Sequence, residues 1–213
     1  MKRLALILAV VLLVSGCAGA GGRAVRPHHY GSFDEVMHIH VSPAPNWRPL
    51  ESIADLEEMT PNIVRARMGD DAEIVFQINE LRPERPSAGH NIVSIEILEV
   101  IKGDLQAGET IRIVEPYYIN DGTLISFCSY LPSIPGREYF LFLSYPITRE
   151  RGFEGIPEEY LDAFWVIHGA NGRFYIPNAG ADLNHFTAED LSMGAITDLH
   201  LRLWQEVIDA YMN

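Results

Sequence analysis

The segment 92-IVSIEILEVIKGDLQAGETIRIVEP-116 carries the clearest structural pattern in the chain. Three apolar residues alternate with polar residues in its first half, the period of two expected of a strand with one buried face. The apolar residues then change face, and such a one-residue shift predicts a β-bulge or a sharp coil near Ile97–Leu98. After a polar turn, the alternation resumes at Ile111 and Ile113. The segment therefore predicts two strongly coiled strands that suit a small closed barrel.

Other apolar segments predict the remaining elements. Further strands are expected at Asn62–Met68, Ala72–Ile78, Tyr139–Tyr145, Phe164–His168 and Arg173–Ile176. The last two are expected to pair as a hairpin around Gly169–Gly172. Helical spacing predicts a short helix over Ser52–Met59 and an amphipathic one over Thr197–Tyr211, whereas Arg82–Gly89 and Pro116–Ser133 are expected to be irregular. The fold is thus predicted to be mainly β, a small five- to six-stranded Greek-key (OB-like) barrel with an N-terminal and a C-terminal helix.

The first residues have the order of a secretory signal peptide. Two basic residues precede an apolar run over 4–14, which is shorter than the roughly 20 residues needed to span a bilayer. The sequence Val14-Ser15-Gly16-Cys17 then resembles the bacterial lipobox, in which cleavage occurs before a cysteine that carries the lipid. The resemblance implies that Cys17 is lipidated and anchors the chain on the extracytoplasmic face of the cell membrane. An ordinary secretory signal with a chance cysteine is the alternative.

The chain is strongly acidic. Its 16 basic and 29 acidic residues give a net charge of −13, and loss of Lys2 and Arg3 with the signal would leave 14 basic residues and −15. This charge argues against binding to nucleic acid and against electrostatic binding to anionic lipid. The expected partners are therefore the membrane, through the lipid anchor, and a protein of the cell envelope.

These features divide the chain into four parts. Residues 1–16 form the expected signal peptide, and 17–49 form the lipidated cysteine with a flexible tether. Residues 50–180 form the barrel domain, and 181–213 form a C-terminal helical segment. With Cys17 lipidated, Cys128 has no cysteine partner within the chain, and its apolar neighbours favour a buried, inert thiol over a reactive one.

Three motifs follow one another in the barrel region: 100-VIKG-103, then Cys128, then 135-PGREYFLFL-143. Together they resemble the OB-fold barrel of the netrin and tissue-inhibitor-of-metalloproteinase type, as found in bacterial lipoproteins. The resemblance covers Leu50 to Ile176 and implies an OB-like barrel. It does not extend to the zinc-chelating mechanism of tissue inhibitors, which needs a free, disulfide-pinned N-terminal cysteine.

Histidines near the N-terminus form a candidate metal site. A short strand is expected within Phe33–Val41, where His38 and His40 would share one face and could supply half of a metal site. His28 and His29 precede them in the chain. No cysteine or carboxylate stands at a diagnostic spacing, so surface histidines are the alternative, and no cofactor is expected.

No sequence motif points to a catalytic centre. No serine lies in a Gly-x-Ser-x-Gly context, and Asp70-Asp71 lacks the spacing of a calcium loop or an acid–base pair. His168 or His185 could approach Cys128 in the fold, which keeps a hydrolase as an alternative. The expectation is a protein that is not an enzyme.

Three tyrosines fall where the mouth of the barrel is expected. Exposed there, Tyr117, Tyr118 and Tyr130 would favour binding of a ligand or protein, and buried there they would cap the core. The chain is therefore predicted to be a lipid-anchored extracytoplasmic binding module of unidentified ligand. A cell-envelope hydrolase and a histidine-based metal-binding lipoprotein are the alternatives.

Overall fold

The computed structural model describes residues 38–42, 49–79, 82–120, 122–147, 157–177, 191 and 198–212. The strands are β1 (His38–Ser42), β2 (Asn62–Met68), β3 (Glu73–Asn79), β4 (Arg82–Lys102), β5 (Thr110–Glu115), β6 (Tyr117–Asn120), β7 (Thr123–Phe127), β8 (Glu138–Pro146), β9 (Phe164–Val166) and β10 (Arg173–Tyr175). The helices are α1 (Ile53–Met59) and α2 (Asp198–Tyr211). None of the helices in these ranges has the length and apolar character needed to cross a membrane. Cys17, His28, His29 and His185 lie outside the described residues.

Five strands close into a barrel in the order β2-β4-β5-β9-β8, and β8 pairs back onto β2. Strand β9 completes the ring because it runs parallel to β5 and antiparallel to β8. The last two barrel strands in the chain therefore stand in reversed order in the ring, which is a Greek-key connection. The predicted mainly-β, OB-like barrel with one N-terminal and one C-terminal helix is confirmed.

The predicted bulge is present in β4. Ile97 pairs with Ala66 of β2 and Glu99 pairs with Arg65, so Leu98 has no partner on β2. An extra residue of this kind bends a strand and increases its twist. The bend lets the 21 residues of β4 pair first with β3, then with β5 and finally with β2.

A second bulge lies opposite the first, at the end of the β4–β5 turn. The N–H of Gly108 donates to the carbonyl of Ile97 at 2.7 Å, and the N–H of Ile97 donates to the carbonyl of Glu109 at 2.9 Å. Gly108 has a φ of +84°, which glycine adopts without steric cost. This is the G1 arrangement, in which a left-handed glycine and its successor face one residue of the partner strand.

The expectation of a loop over Arg82–Gly89 is wrong, because this segment is the first half of β4. It pairs with β3 to form a hairpin arm, and Ile78 lies opposite Pro86. The pairing is irregular on both sides of Ile78, which is how an antiparallel ladder accommodates a proline. The proline therefore disturbs the pairing locally without preventing the strand.

The expectation of irregular structure over Pro116–Ser133 is also wrong. The segment contains β6 and β7, which pair antiparallel, and β1 adds to the other edge of β7 in parallel. The resulting three-stranded sheet has the order β1-β7-β6. Strand β6 pairs only with β7 in this sheet, whereas β7 also pairs with β1, about 80 residues earlier in the chain, so the local pattern did not reveal the sheet.

Strand β1 lies within 17–49, the predicted tether, and confirms the short strand expected there. Ile39 and Val41 are 53% and 43% exposed, and His40 is exposed as well. Backbone pairing with β7 therefore holds β1 more than side-chain burial does.

The hairpin predicted around Gly169–Gly172 does not form. Strands β9 and β10 both pair with β8, the first at Leu143 and Pro146 and the second along Tyr139–Leu141. The glycine-rich turn between them shifts the chain along one edge of β8 instead of reversing it. A Cβ atom at Gly172 would fall on the carbonyl of Ile167, so this turn requires glycine.

Helix α2 packs its apolar face on the barrel. Leu203, Trp204, Val207 and Ile208 are buried in one core with the barrel strands. The indole N–H of Trp204 donates to the carbonyl of Tyr175 in β10 at 2.8 Å. The two helices are also linked, because the N–H of Ile53 donates to the carboxylate of Glu206 at 2.8 Å.

Candidate functional site

The densest polar cluster surrounds the carboxylate of Glu115, at the end of β5. Its Oε1 atom accepts hydrogen bonds from the Tyr130 hydroxyl at 2.8 Å and from Nη1 of Arg173 at 3.1 Å. The backbone N–H of Ser133 also donates to Oε1 at 3.2 Å, and the Ser133 hydroxyl does so as well. Oε2 accepts from the side-chain amide of Asn91 at 2.9 Å. The cluster thus joins β4, β5, β10 and the 130–133 segment.

This cluster is sealed from solvent. The side chains of Arg173 and Glu115 are 1% and 2% exposed. The guanidinium of Arg173 lies 3.8 Å from the ring centroid of Tyr130 and 5.4 Å from that of Tyr139. A buried ion pair is tolerated only when further hydrogen bonds satisfy its remaining polar atoms. The arrangement therefore positions strands and has no open space for a substrate beside it.

The three tyrosines predicted to bind a ligand all lie in the interior. Tyr117 and Tyr130 stack with ring centroids 6.3 Å apart and are 1% and 0% exposed. Tyr118 is 9% exposed, and its ring contacts the edge of Phe76. Burial raises the pKa of Tyr130 well above its ordinary value. The structure gives all three rings a place in the core, and a role in ligand binding stays a prediction.

The histidine site and the cysteines also stay predictions. His40 is exposed on β1, beside His38. Within the described ranges, no group of three or more His, Cys, Asp or Glu side chains is placed to hold a metal ion. Cys128 is a free, partly buried thiol whose pKa is raised by burial. Burial lowers the pKa of His168, which the sequence proposed as a base for this thiol.

An open groove of about 480 Å³ lies beside β5. We call it the β5 groove. It is lined by Ser94, Glu109, Thr110, Ile111, Arg112, Pro146, Asp162 and Phe164. Its wall therefore combines apolar side chains with carboxylates, hydroxyls and a guanidinium, a mixture that suits binding of a polar ligand.

One edge of β5 is open along this groove. Thr110–Arg112 pairs with Ser94–Glu96 of β4 on one side. On the other side, β9 pairs with β5 at Ile113 and Val114 only. No described strand therefore pairs with the outer edge of Thr110–Arg112.

The backbone groups of Thr110 and Arg112 face this open edge. In antiparallel strands, residues that are hydrogen-bonded to the partner strand alternate with residues that are not. Ile97 of β4 exchanges hydrogen bonds with the Gly108–Glu109 bulge, so Ile111 is the next residue of β5 bonded to β4. The N–H and C=O groups of Thr110 and Arg112 consequently point away from β4. The carbonyl of Arg112 accepts from the N–H of Phe164 in the parallel ladder with β9, and the other three groups face the groove.

A charged pair forms part of the rim. Nη2 of Arg112 donates to the two carboxylate oxygens of Asp162 at 3.0 and 3.1 Å. The same guanidinium lies 5.3 Å from the ring centroid of Tyr160. Burial and a hydrogen bond to Glu73 raise the pKa of Tyr160 to about 12. Because Asp162 is 70% exposed, solvent screens its attraction for Arg112 and leaves the pair free to rearrange.

Asp71 bonds to Ser94, one of the groove residues. Its Oδ1 accepts from the backbone N–H of Ser94 at 2.9 Å, and its Oδ2 accepts from the Ser94 hydroxyl at 2.5 Å. Asp71 therefore ties the turn after β2 to the middle of β4.

Two histidines are buried away from the groove. His200 of α2 is 0% exposed, stacks on Phe174 and donates from Nδ1 to the side-chain oxygen of Asn171 at 3.1 Å. Burial, aided by the charge of Arg173, lowers the pKa of His200 to about 3. Burial also lowers the pKa of His90 to about 4. Both rings are thus neutral parts of the packing at pH 7.

The sequence interpretation missed both Glu115 and Arg173. Glu115 stands two residues after Ile113 and four after Ile111, so it continues the inward face of β5. A carboxylate on an apolar face was the signal that a buried partner must exist. The identity of that partner, 58 residues later, had no local signature.

The comparisons with known proteins add no assignment. No family model matches the chain, and no curated protein is significantly similar to it. The likeness to netrin-type OB barrels therefore stays a prediction, and the functional conclusion rests on the residues themselves.

Removing one partner of the buried pair should destabilise the fold strongly. We expect Glu115→Gln and Arg173→Met each to lower the free energy of unfolding by about 3–5 kcal/mol, because each leaves an uncompensated buried group. The double variant should lose less than the sum of the two. Arg67→Met is the matched control, since Arg67 pairs at the surface and is 45% exposed, and should cost about 0–1 kcal/mol. Urea unfolding at pH 7 measures all four, and additive losses in the double variant would contradict the coupling.

Acid should destabilise the protein through His200. Its pKa of about 3 in the fold lies below the ordinary value of 6.5, so the unfolded chain binds the proton first. The stability gained by keeping the His200 ring neutral in the fold is fully present above pH 6.5 and declines as the pH falls towards 3. Between pH 7.5 and pH 5, the unfolding free energy of the wild type should fall by about 2 kcal/mol more than that of His200→Gln. Parallel pH profiles for the two proteins would show that His200 is not the group responsible.

Proposed function

We propose that the chain is a lipid-anchored extracytoplasmic binding module without catalytic activity, and that the β5 groove is its binding surface. The observation that carries the binding role is the open edge of Thr110–Arg112 beside a concave, mixed-polarity groove. Grooves with a few convergent polar groups on an apolar floor are the usual form of a binding site.

The chemistry of the groove favours recognition. Two of its polar side chains are already engaged, Ser94 with Asp71 and Arg112 with Asp162. Among its lining residues no serine or cysteine stands beside a histidine, the arrangement that activates a hydrolytic nucleophile. Exposed paired charges of this kind can exchange partners when a ligand arrives.

The membrane part of the proposal comes from the sequence. The lipobox-like Val14-Ser15-Gly16-Cys17 follows an apolar run, and the mature chain would carry a net charge of −15 that opposes direct binding to anionic lipid. Fatty acyl chains on Cys17 would supply the attachment. The motifs over Leu50–Ile176 support placing the chain beside bacterial lipoproteins with a netrin-type OB domain.

Lipidation is tested by changing the cysteine. In bacterial cells fed an alkynyl fatty acid, the wild type should incorporate the label and sediment with membranes. Cys17→Ser should take up no label and accumulate as the precursor that retains residues 1–16. Cys128→Ser is the matched control and should behave as the wild type. Equal membrane binding of unprocessed Cys17→Ser, or labelling of it, would contradict the anchor.

The binding surface is tested by photo-crosslinking in the same cells. A benzoylphenylalanine at Thr110, inside the groove, should give a discrete cross-linked adduct of the lipidated protein. The same residue at Gln205, on the exposed face of α2, should give none. Absence of an adduct from Thr110, or identical adducts from both positions, would remove the groove as the binding surface.

A further inference from the structure

We infer that the β5 groove binds an extended, basic protein segment by strand addition, with the ligand backbone pairing along Thr110–Arg112. The inference rests on the proposed binding function and specifies its ligand and its geometry. Three observations carry it: the direction of the backbone groups, the apolar floor of the groove and the charge of its rim.

The edge is open because the chain before β9 turns away from β5. The carbonyl of Ala163 accepts from the N–H of Ile147 at 2.8 Å, and the N–H of Ala163 donates to the carbonyl of Tyr160 at 3.1 Å. The chain therefore turns at Tyr160–Ala163, and the ladder with β5 begins only at Phe164. Unpaired strand edges are templates for another chain, and proteins usually cover them or blunt them.

The available backbone groups match an added strand. Thr110 offers one N–H and one C=O to the groove, and Arg112 offers its N–H, so a ligand strand can form up to three hydrogen bonds with β5. The carbonyl of Arg112 is already used in the ladder with β9. In strand addition, backbone hydrogen bonds of this kind supply affinity, and pockets for alternate side chains supply specificity. Because specificity then comes from side chains, the groove wall defines the ligand.

The floor of the groove selects apolar side chains on one face of the ligand. Phe164 is 8% exposed and Ile111 is 9% exposed, and Pro146 completes the floor. Successive side chains of a strand point to opposite faces, so every second residue of the ligand would contact this floor.

The rim selects positive charge on the other face. Glu109 is exposed and Asp162 is 70% exposed, whereas the guanidinium of Arg112 is already paired with Asp162. The described rim therefore has two carboxylates and one cation, within a chain whose net charge is −13. A ligand with lysine or arginine at alternate positions is complementary to this surface and is attracted to it at long range.

The probe is a seven-residue acetylated, amidated peptide in which valine and lysine alternate, beginning with valine. With the lipidated full-length protein in detergent micelles, NMR titration should give saturable shifts of the Thr110 and Arg112 amides and slow their hydrogen exchange. The amide of Gly103, in the turn that follows β4, is the internal control and should not change. Binding without protection of the Thr110 and Arg112 amides, or no saturable shift, overturns the inference.

N-methylation separates backbone pairing from other modes of binding. One variant peptide is methylated on the valine amides and another on the lysine amides. Alternate amides of an added strand face β5, so one of the two should bind about tenfold or more weakly and the other about as the parent. Equal losses of affinity for the two methylated peptides overturn strand addition.

A peptide with glutamate in place of each lysine tests the preference for a basic ligand. It should bind at least about tenfold more weakly than the valine–lysine peptide, and the difference should shrink as salt is added. Equal affinities of the two peptides would contradict a basic ligand.

A protein variant gives the same test from the other side. Thr110→Pro removes one outward N–H, which an edge strand tolerates because that group does not bond to β4. Thr110→Val keeps the N–H and is the matched control. The peptide should bind Thr110→Val as it binds the wild type and Thr110→Pro several-fold more weakly, and equal binding contradicts the inference. Should Thr110→Pro fail to fold, the N-methylated peptides decide the matter.

The experiments distinguish rejection of strand addition from rejection of the groove as the binding surface. A Thr110 cross-link in cells without peptide-induced amide protection would keep the groove as a binding surface and reject strand addition. Absence of the cross-link would reject the groove itself.

Discussion

The buried pair of Glu115 and Arg173 is the interaction on which the rest of this fold depends. It joins the end of β5 to the start of β10, and Asn91, Tyr130 and Ser133 add hydrogen bonds to Glu115. These residues come from four segments of the chain: β4, β5, the 130–133 segment and β10. A charged group with almost no exposure must find its partners for the protein to fold, so the cluster ties the 130–133 segment and β10 to the barrel in one arrangement.

The shape of β4 is the second constraint. One strand of 21 residues takes part in the hairpin arm and in the barrel, and it can do so because the bulge at Leu98 bends it. The G1 bulge at Gly108–Glu109 meets it from the other side and sets the register of β5. That register decides that Thr110 and Arg112 turn their backbone groups outward. The open edge is thus a consequence of how the central hairpin was built, and it lies at the opposite end of β5 from the sealed polar cluster.

The two polar regions have opposite character. Around Glu115 the charges are desolvated, joined by several hydrogen bonds and packed against aromatic rings, which makes them rigid. Along the β5 groove the charges are exposed and screened, and their pairs are weak enough to be exchanged for a ligand. A rigid interior that presents an adaptable surface is the arrangement expected of a binding module, and it is compatible with the proposed role.

The sequence by itself determined the barrel. Alternation in 92–116 predicted the central hairpin, the change of face at Ile97–Leu98 predicted the bulge, and helical spacing predicted α1 and α2. These features are periodic over neighbouring residues, so they can be read locally. The same local interpretation failed for Arg82–Gly89 and Pro116–Ser133, where pairing with β3 and β1 overrode proline and turn signals.

Only the tertiary structure decided that Glu115 meets Arg173, that Tyr117 and Tyr130 are buried, and that β9 leaves an edge of β5 open. Each of these depends on segments tens of residues apart, and the contact between them exists only once the ring of strands has closed.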